Sequence, residues 1–325
     1  MKVKGFARQF EGGGYYRIRL PLDELGRHGH ETSWCGAKSD QSAEGADVIV
    51  GQLIGGHSDP VTIHQWWRNL AKHSRLVYEL DDDPFEIETH NPVAFAYGRP
   101  EAQDSIAHCM QVASLVTVST EPLAERMRTY NPNVVVLKNR IDESLLSIER
   151  PRRDKVTIGW AGGASHLYDL GECAYGLRKT IDRHRDVDVH FIGPDFTSVI
   201  RRPIRHTPWC PTTTDYYRLI DFDIGLAPLK PSVFARSKSY IKALEYAALG
   251  IPVIASDVEP YRDFVVDGVT GYLIRRDHEW ASRMRDLIHD ADMRADMGAK
   301  AKQVAADYTI QNGWPDWEAA YQSVL

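Results

Sequence analysis

The run DIGLAPLKPSVFARSKSYIKALEYAALGIPVIAS, residues 223–256, places a helical segment between two apolar segments. DIGLAPL (223–229) and PVIAS (252–256) have the nearly continuous apolar composition of strands that are covered on both faces. Between them the sequence predicts a helix of about ten residues, capped by Ser237 or Ser239 and ended by a glycine. A strand, a helix and a second strand in this order predict a parallel βαβ unit with a right-handed crossover.

The same alternation of strands and helices extends over the chain in two stretches. Apolar runs predict the strands of the first stretch: VKGFA (3–7), ADVIVG (46–51), RLVYEL (75–80), SLVTVS (114–119) and VVVLKN (134–139). The pattern restarts at VTIGWAG (156–162), after the charged, proline-containing segment LLSIERPRRDKV, and continues to GYLI (271–274). We therefore predict two doubly wound α/β domains, residues 1–150 and 151–306, and a C-terminal helix within residues 307–325 that packs back on the first domain.

The composition is typical of a soluble protein. Hydrophobic residues make up 43% and charged residues 26% of the 325 residues, and MKVKGFARQFEGGG at the N-terminus turns polar too early for a signal peptide. Four cysteines without CxxC spacing fit reduced thiols in a cytoplasmic protein and argue against a structural zinc site. The net charge of −6, with no basic excess in either half, disfavours duplex nucleic acid and anionic membranes as partners.

The charged residues of the expected helix suggest a ligand. Lys238, Lys242 and Glu245 stand at i, i+4 and i+7 and would share one face. A helix N-terminus after a strand attracts an anion, and Lys238 adds positive charge there. The Glu245 carboxylate suits a pair of vicinal hydroxyl groups, so that one face would hold both parts of a nucleotide sugar. The spacing alone leaves open the alternative that Lys242 and Glu245 pair with each other on the surface.

A longer run that contains this helix, DFDIGLAPLK through GYLI (221–274), resembles the donor-binding half of GT-B glycosyltransferases, whose two Rossmann-like domains face a cleft. Within that fold it is most similar to the retaining family 4, the glycosyl transferases group 1. The segments 114–127, 134–142 and 159–170 extend the resemblance. It implies an enzyme that moves a sugar from a UDP, GDP or ADP sugar to an acceptor hydroxyl with retention of anomeric configuration. No cofactor and no divalent metal are implied.

In that family two glutamates, eight residues apart, flank a turn that contacts the diphosphate. The second glutamate holds the ribose of the nucleotide, and Glu245 matches it. The first contacts the donor sugar, and Ser237 stands at its position, so the identity of the sugar is left open. The resemblance implies that Lys238, Ser239 and Tyr240 approach the diphosphate, with Lys238 neutralising the leaving group.

The loop GWAGGASHLYDL (159–170) follows the first strand of the second domain. Gly162 and Gly163 allow the backbone to approach a diphosphate closely. The loop has no Lys or Arg, where many members of the family place a phosphate-binding cation. His166 is the candidate substitute, and a purely structural histidine is the alternative.

The loop EGGGYYRIRLPLDEL (11–25) follows the first strand of the first domain. Its glycines do not form the GxGxxG fingerprint of a dinucleotide site. The resemblance instead places Gly13, Gly14, Tyr16 and Arg17 beside the cleft, against the donor phosphate or the acceptor.

Three carboxylates, Asp81, Asp82 and Asp83, end a predicted strand of the first domain. They fit the DxD pattern by which another glycosyltransferase fold holds a metal ion on a sugar diphosphate. Because the donor signature lies in the other domain, we expect no metal here. We expect Asp81 or Asp82 to bind acceptor hydroxyls or to orient the nucleophile, and a simple strand-ending turn remains the alternative.

Taken together, the residues predict a glycosyltransferase with Lys238, Asp81 and Asp82 as catalytic residues. The acceptor is a glycan, a protein or a small molecule. A nucleotide-sugar epimerase or hydrolase of the same fold is one alternative. A catalytically silent nucleotide-sugar-binding module is another, because Ser237 replaces the first glutamate.

Overall fold

The computed structural model describes residues 1–36, 43, 45–56, 59–151, 153–210 and 212–325. Its contacts separate two units. Unit 1 comprises Met1–Asp142, Arg236–Ser239 and Thr309–Leu325, and unit 2 comprises Glu143–Ala235 and Tyr240–Tyr308. The first boundary between the units thus follows Asp142, whereas the sequence analysis places the domain boundary after residue 150. The C-terminal residues belong to unit 1.

Unit 1 contains a parallel sheet of six strands. These are β1 (Lys2–Ala7), β2 (Glu31–Gly36), β3 (Val48–Gln52), β4 (Arg75–Leu80), β5 (Leu115–Val118) and β6 (Val134–Val136). Their order is β2-β1-β3-β4-β5-β6, so the order reverses between β1 and β3. The sequence analysis predicts every one of these strands except β2. That strand lies at the edge of the sheet with no buried side chain, and therefore carries no apolar run.

Helices cover both faces of this sheet. They are α1 (Leu20–Arg27), α2 (Pro60–Leu70), α3 (Ala94–Tyr97), α4 (Pro100–Val112) and α5 (Glu121–Met127), and a π-helical turn over Tyr15–Arg19 precedes α1. One face packs against α2, α4 and α5 through Trp67, Met110 and Leu123. The other packs against α1 and the C-terminal helix of the chain, whose Trp317 is fully buried in the same core as Val3.

Unit 2 contains a second parallel sheet of six strands. These are β7 (Thr157–Ala161), β8 (Asp188–Ile192), β9 (Arg205–Thr207), β10 (Ile224–Ala227), β11 (Val253–Ser256) and β12 (Gly271–Ile274). Their order is β12-β11-β10-β7-β8-β9, so the order reverses between β7 and β10. In open α/β sheets a ligand binds beyond the carboxyl ends of the strands at such a reversal. Both units are doubly wound α/β folds, as predicted.

The remaining helices are α6 (Leu170–Arg183), α7 (Thr197–Ile200), α8 (Thr213–Leu219), α9 (Val233–Ser237), α10 (Ile241–Ala248), α11 (Glu259–Arg262), α12 (Asp277–His289), α13 (Ala291–Ala306) and α14 (Ile310–Gln322). No helix within the described ranges is long and apolar enough to cross a membrane. The cysteines Cys35, Cys109, Cys173 and Cys210 form no disulfide bond.

The helix expected from Ser237 or Ser239 begins later than predicted. Its first residue is Ile241, Tyr240 is its N-cap, and neither serine caps it. The side chains of Thr120 and Asn139 bind the segment before it, and thereby hold that segment in unit 1. Lys238 is therefore not on the helix, and the prediction that it shares a helix face with Lys242 is wrong. The end of the helix is as predicted, with Gly250 at a φ of +69°.

Candidate functional site

The glycine turn after β7 lies at the point where the strand order of unit 2 reverses. The backbone N–H of Gly162 donates to the carbonyl of Ile192 over 3.1 Å. A Cβ atom on Gly162 would lie 2.6 Å from Nζ of Lys242, whereas one on Gly163 would have open space around it. The turn is thus bounded by a cation on one side and open on the other.

Lys242 lies in the first turn of α10 and is buried. Its ammonium group donates a hydrogen bond to the carbonyl of Ala161 and lies 5.2 Å from the ring centroid of Trp160. The loop of residues 159–170 has no Lys or Arg of its own. Its positive charge therefore comes from Lys242, which lies 80 residues after Gly162 in the chain. The sequence analysis did not assign Lys242 to this turn, because only packing brings the two segments together.

His166 lies beside the same turn, with Cδ2 3.3 Å from the Cβ position of Gly162. Its Nδ1 is 2.8 Å from Oδ2 of Asp169. The second oxygen of that carboxylate accepts the backbone N–H of Lys230, which follows β10, over 2.9 Å. Asp169 therefore orients the imidazole between the two strands that flank the reversal.

Glu245 lies one turn after Lys242 on α10 and is 6% exposed. Oε2 of Glu245 accepts a hydrogen bond from the hydroxyl of Tyr216 on α8 over 3.0 Å. Burial, and then the Glu245 carboxylate, raise the pKa of Tyr216 well above its ordinary value. The phenol therefore stays protonated and holds the carboxylate as an acceptor.

The side chain of Tyr240, which was predicted to lie at the donor, packs in the core of unit 2. Its ring stacks on that of Phe264 with 5.2 Å between centroids and meets the ring of Tyr308 edge-on. Its backbone forms the start of α10. Tyr240 thus shapes the helix start and does not present its phenol to a ligand.

In unit 1, the carboxylates after β4 have separate partners. Oδ2 of Asp82 is 3.1 Å from the ammonium of Lys238, and Asp83 pairs with Arg126. The side chain of Asp81 adjoins Gly13, where any Cβ atom would overlap its carboxylate. Burial, and then repulsion from Asp82, raise the pKa of Asp81 to about 6. In the described ranges no group of three or more His, Cys, Asp or Glu side chains is arranged to hold a metal ion.

Lys238 belongs to the short segment Arg236–Ser239, which is part of unit 1. Thr120 donates to the carbonyl of Ser237 over 2.9 Å, and the amide of Asn139 donates to the hydroxyl of Ser239 over 2.7 Å. These bonds and the ion pair with Asp82 fix the whole segment. The three residues predicted to be catalytic, Lys238, Asp81 and Asp82, therefore lie together in unit 1.

Arg17 is completely buried, and is not a surface residue that touches an acceptor. Its guanidinium binds both carboxylate oxygens of Glu79, over 2.7 and 3.2 Å, and donates to the carbonyl of Leu137. It also donates to Oδ1 of Asn139 over 2.9 Å, and Thr117 donates to Glu79. Burial raises the pKa of Glu79 to about 7, although the Arg17 charge opposes that rise. Arg17 thus fixes the position of the Asn139 side chain by a hydrogen bond from within the core of unit 1.

The other residues of the first glycine loop that the sequence analysis assigns to the cleft are Gly13, Gly14 and Tyr16. Tyr16 is buried and packs edge-on against Tyr15. Gly14 is required because a Cβ atom would overlap the carbonyl of Gln9, and Gly13 is required by Asp81. Gly13 and Asp81, which the sequence analysis assigns to the acceptor side, lie next to each other. Tyr16 and Arg17, which it also assigns there, are buried in the core of unit 1.

Sequence comparison identifies similar proteins over part of the chain. Residues 241–304 match the family model described as "Glycosyl transferases group 1". A D-inositol 3-phosphate glycosyltransferase from Paenarthrobacter aurescens (strain TC1) is 38% identical over 74 residues, which are 22% of this chain and 17% of that protein. The protein of the same name from Stackebrandtia nassauensis is 40% identical over 85 residues, 26% of this chain and 19% of that protein. The chain thus matches less than a fifth of the length of either relative.

Solved structures match over much more of the chain. Anabaena Alr3699/HepE in complex with UDP and glucose has a TM-score of 0.72 at 12% identity, covering 99% of this chain and 100% of that one. Sucrose-phosphate synthase from Thermosynechococcus elongatus has a TM-score of 0.66 at 11% identity, covering 100% and 99%. S. aureus TarM, solved with fondaparinux, alpha-GlcNAc-glycerol and UDP, has a TM-score of 0.62 at 14% identity, covering 84% and 55%. The chain therefore has the GT-B fold, and the predicted fold class is confirmed. The match of residues 241–304 to the family model confirms the resemblance to the glycosyl transferases group 1.

Proposed function

We propose that this GT-B chain is a glycosyltransferase that moves a sugar from a nucleoside diphosphate to an acceptor hydroxyl. The observation that carries the proposal is the pair Lys242 and Glu245 on α10. One helix presents a cation beside a glycine turn and a carboxylate held as an acceptor. Both residues fall within the segment that matches the family model.

The donor binds to unit 2 in this proposal. The carboxylate of Glu245 accepts hydrogen bonds from the ribose hydroxyls. The backbone at Gly162 and Gly163, the ammonium of Lys242 and the imidazole of His166 surround the diphosphate. Donors that are already in position stabilise the negative charge that develops on the leaving group, and need no rearrangement during the reaction.

The acceptor binds to unit 1, where Asp81 accepts a hydrogen bond from its hydroxyl group. Lys238, held by Asp82, supplies positive charge to the same group of side chains. This assignment differs from the role at the leaving group that the sequence analysis gives to Lys238. Glycan, protein and small-molecule acceptors all carry the hydroxyl group that Asp81 would bind.

The reaction transfers one glycosyl group. The bond between the anomeric carbon and the diphosphate oxygen breaks, and the acceptor oxygen bonds to the same carbon. The acceptor proton passes to an oxygen of the departing diphosphate. Because the acceptor attacks from the face that the leaving group vacates, the anomeric configuration is retained. We propose that no divalent metal is needed, because Lys242 stands at the diphosphate turn and Lys238 and Arg126 neutralise two of the three aspartates. Four cysteines that form no disulfide bond fit a reducing, cytoplasmic setting.

A thermal-shift screen of UDP, GDP and ADP sugars tests the base of the proposal. At least one class should raise Tm, because a ligand that binds only the folded state stabilises it. Glu245→Ala should lose most of that rise, while Glu125→Ala, an exposed glutamate of α5, should keep it. No rise with any sugar nucleotide would overturn the proposal.

The active ligand is then incubated with and without an acceptor. A product that forms only with the acceptor supports transfer. Free sugar or an epimer in the absence of acceptor indicates a hydrolase or an epimerase. Binding without turnover for any acceptor indicates a binding module, which the serine at position 237 would explain.

A further inference from the structure

Trp209 is a large aromatic residue that remains exposed at the carboxyl edge of the unit 2 sheet. It follows β9 by two residues, and 43% of its surface is exposed. One face of the indole stacks on the ring of Tyr216, with 4.9 Å between centroids and 26° between planes. Because Tyr216 is buried and bound to Glu245, it holds the indole in a fixed orientation. Trp209 therefore keeps an exposed surface although one face of its indole is covered by Tyr216.

This indole lies next to the glycine turn that we assign to the diphosphate. Strands β7, β8 and β9 are neighbours, so the residues that follow them lie along one edge. Gly193 follows β8, and its N–H donates to the carbonyl of Thr207 over 3.0 Å. A Cβ atom on Gly193 would lie 3.6 Å from Cε3 of Trp209 and would overlap the carbonyl of Gly162. Gly193, at a φ of +125°, is thus the small residue that brings Trp209 and Gly162 close together.

We infer that the indole of Trp209 is the platform on which the nucleobase of the donor stacks. The inference rests on the proposed function, and it names the group that recognises the third part of the nucleotide. The diphosphate lies at Gly162, the ribose at Glu245 and the base on Trp209. These positions follow one another through contacts, because Gly193 joins Trp209 to Gly162 and Tyr216 joins Trp209 to Glu245.

Tyr216 couples two of these functions. Its ring supports the indole, and its hydroxyl fixes the carboxylate of Glu245. A base that stacks on Trp209 therefore delivers its ribose to a carboxylate whose position is set by the same phenol. Stacking uses the π-face that every base has, so this platform favours nucleotides over pyrophosphate without choosing strongly among uracil, guanine and adenine.

The test uses the full chain and isothermal titration with UDP and, separately, with inorganic pyrophosphate. Trp209→Ala should weaken UDP binding by about 10-fold, the loss typical of one stacked base. Trp209→Phe should stay within about three-fold of the unaltered chain, because a flat ring remains. Pyrophosphate binding should be the same in all three. Trp34→Ala, which removes a similarly exposed tryptophan from β2 of unit 1, should change neither affinity.

Fluorescence gives a second measurement on the same proteins. Stacking of uracil should quench part of the tryptophan emission of the unaltered chain, and Trp209→Phe should lose that quench while it still binds UDP. Two results would overturn the inference. One is unchanged UDP affinity in Trp209→Ala, and the other is an equal loss of UDP and pyrophosphate binding. If the unaltered chain binds UDP in either case, the proposed function stands; if it binds no nucleoside diphosphate at all, both fall.

Discussion

The phenol of Tyr216 and the carboxylate of Glu245 form a hydrogen bond of 3.0 Å between two buried side chains. The tyrosine lies on α8 and the glutamate on α10, 29 residues apart in the chain. Because the raised pKa of Tyr216 keeps the hydroxyl protonated, the bond has a fixed direction, and the phenol always donates. The remaining acceptor capacity of Glu245 is what a ribose diol would use.

Tyr216→Phe removes that donor while it keeps the ring beneath Trp209. We expect UDP affinity to fall about 10-fold, because Glu245 is no longer held in place, and the free energy of unfolding to fall by about 1–3 kcal/mol. Titration calorimetry and urea denaturation measure the two effects. Tyr175→Phe removes the hydroxyl of an exposed tyrosine on α6 and should alter neither. Full affinity in Tyr216→Phe would show that Glu245 needs no partner.

Lys242→Met separates the charge of the lysine from its packing. The methionine fills the buried space of the lysine stem but leaves the carbonyl of Ala161 without this donor, so the free energy of unfolding should fall by about 1–3 kcal/mol. UDP affinity should fall at least about 10-fold, the scale of a charge-assisted contact, whereas uridine affinity should not change. Lys179→Met on α6 is the matched control for both measurements. Equal losses for UDP and uridine would argue against a phosphate contact.

The raised pKa of Asp81 predicts the acid limb of the reaction. The rate of transfer should fall as pH is lowered through about 6, because a protonated Asp81 no longer accepts a hydrogen bond from the acceptor. Asp82→Asn should move this limb to lower pH, since repulsion from Asp82 is one cause of the raised pKa. Asp81→Asn should be slow and should lack the limb. Profiles of kcat/KM against pH distinguish these outcomes, and an unchanged limb in Asp81→Asn would exclude this carboxyl as its source.

The same titration has the opposite effect on folding. A carboxyl whose pKa is higher in the folded than in the unfolded chain binds its proton more tightly when folded. The folded state therefore loses stability as pH rises from the ordinary value of 3.8 to about 6. Asp81→Asn should thus be more stable than the unaltered chain at pH 8 and not at pH 4, as denaturation at the two pH values will show. We expect this catalytic group to cost stability at neutral pH.

Arg17→Met should be the most damaging of these substitutions, because it leaves the buried Glu79 without its counter-charge. The free energy of unfolding should fall by about 3–5 kcal/mol at pH 8. The loss should be smaller at pH 5, since the pKa of Glu79, already about 7, lies well above that pH and the carboxyl is then neutral. Addition of Glu79→Gln should recover part of the loss at pH 8.

Arg202→Met provides the contrast for this pair. Arg202 binds Asp182 over 2.7 Å at the surface, where solvent screens the pair, and its removal should change the free energy of unfolding far less than removal of Arg17. Urea denaturation at pH 5 and pH 8 of the unaltered chain, Arg17→Met, Arg17→Met with Glu79→Gln, and Arg202→Met compares a buried with an exposed ion pair. A loss in Arg17→Met that does not depend on pH would contradict the assignment to Glu79.

Most of the fold was predictable from the sequence because buried parallel strands carry continuous apolar runs. RLVYEL (75–80) and VTIGWAG (156–162) show this, since β4 and β7 lie within them. The edge strand β2 escaped prediction because none of its side chains is buried, and it therefore carries no continuous apolar run. The segment before α10 was assigned to the helix because Ser237 and Ser239 are good caps in isolation.

The proposed site could be selected from the sequence where a residue belongs to the loop or helix that the proposal uses. Gly162, Gly163 and Glu245 could be selected because glycine conformation and a family position are local properties. Lys242, by contrast, contacts a turn that is distant in sequence, and the charge-pair alternative was equally consistent with its spacing. Tyr216 carried no signal, because a tyrosine in a short helix is usually part of a core.

The position of α14 determines the order in which the two units can complete their cores during translation. Trp317 and Ile310 belong to the same core as Val3 and Ile18, so the part of this face that α1 does not cover stays open until α14 has been translated. The strands of unit 2 are all complete by Ile274 and its helices by Ala306. Unit 1, which is made first, therefore completes its core only after unit 2 has been translated.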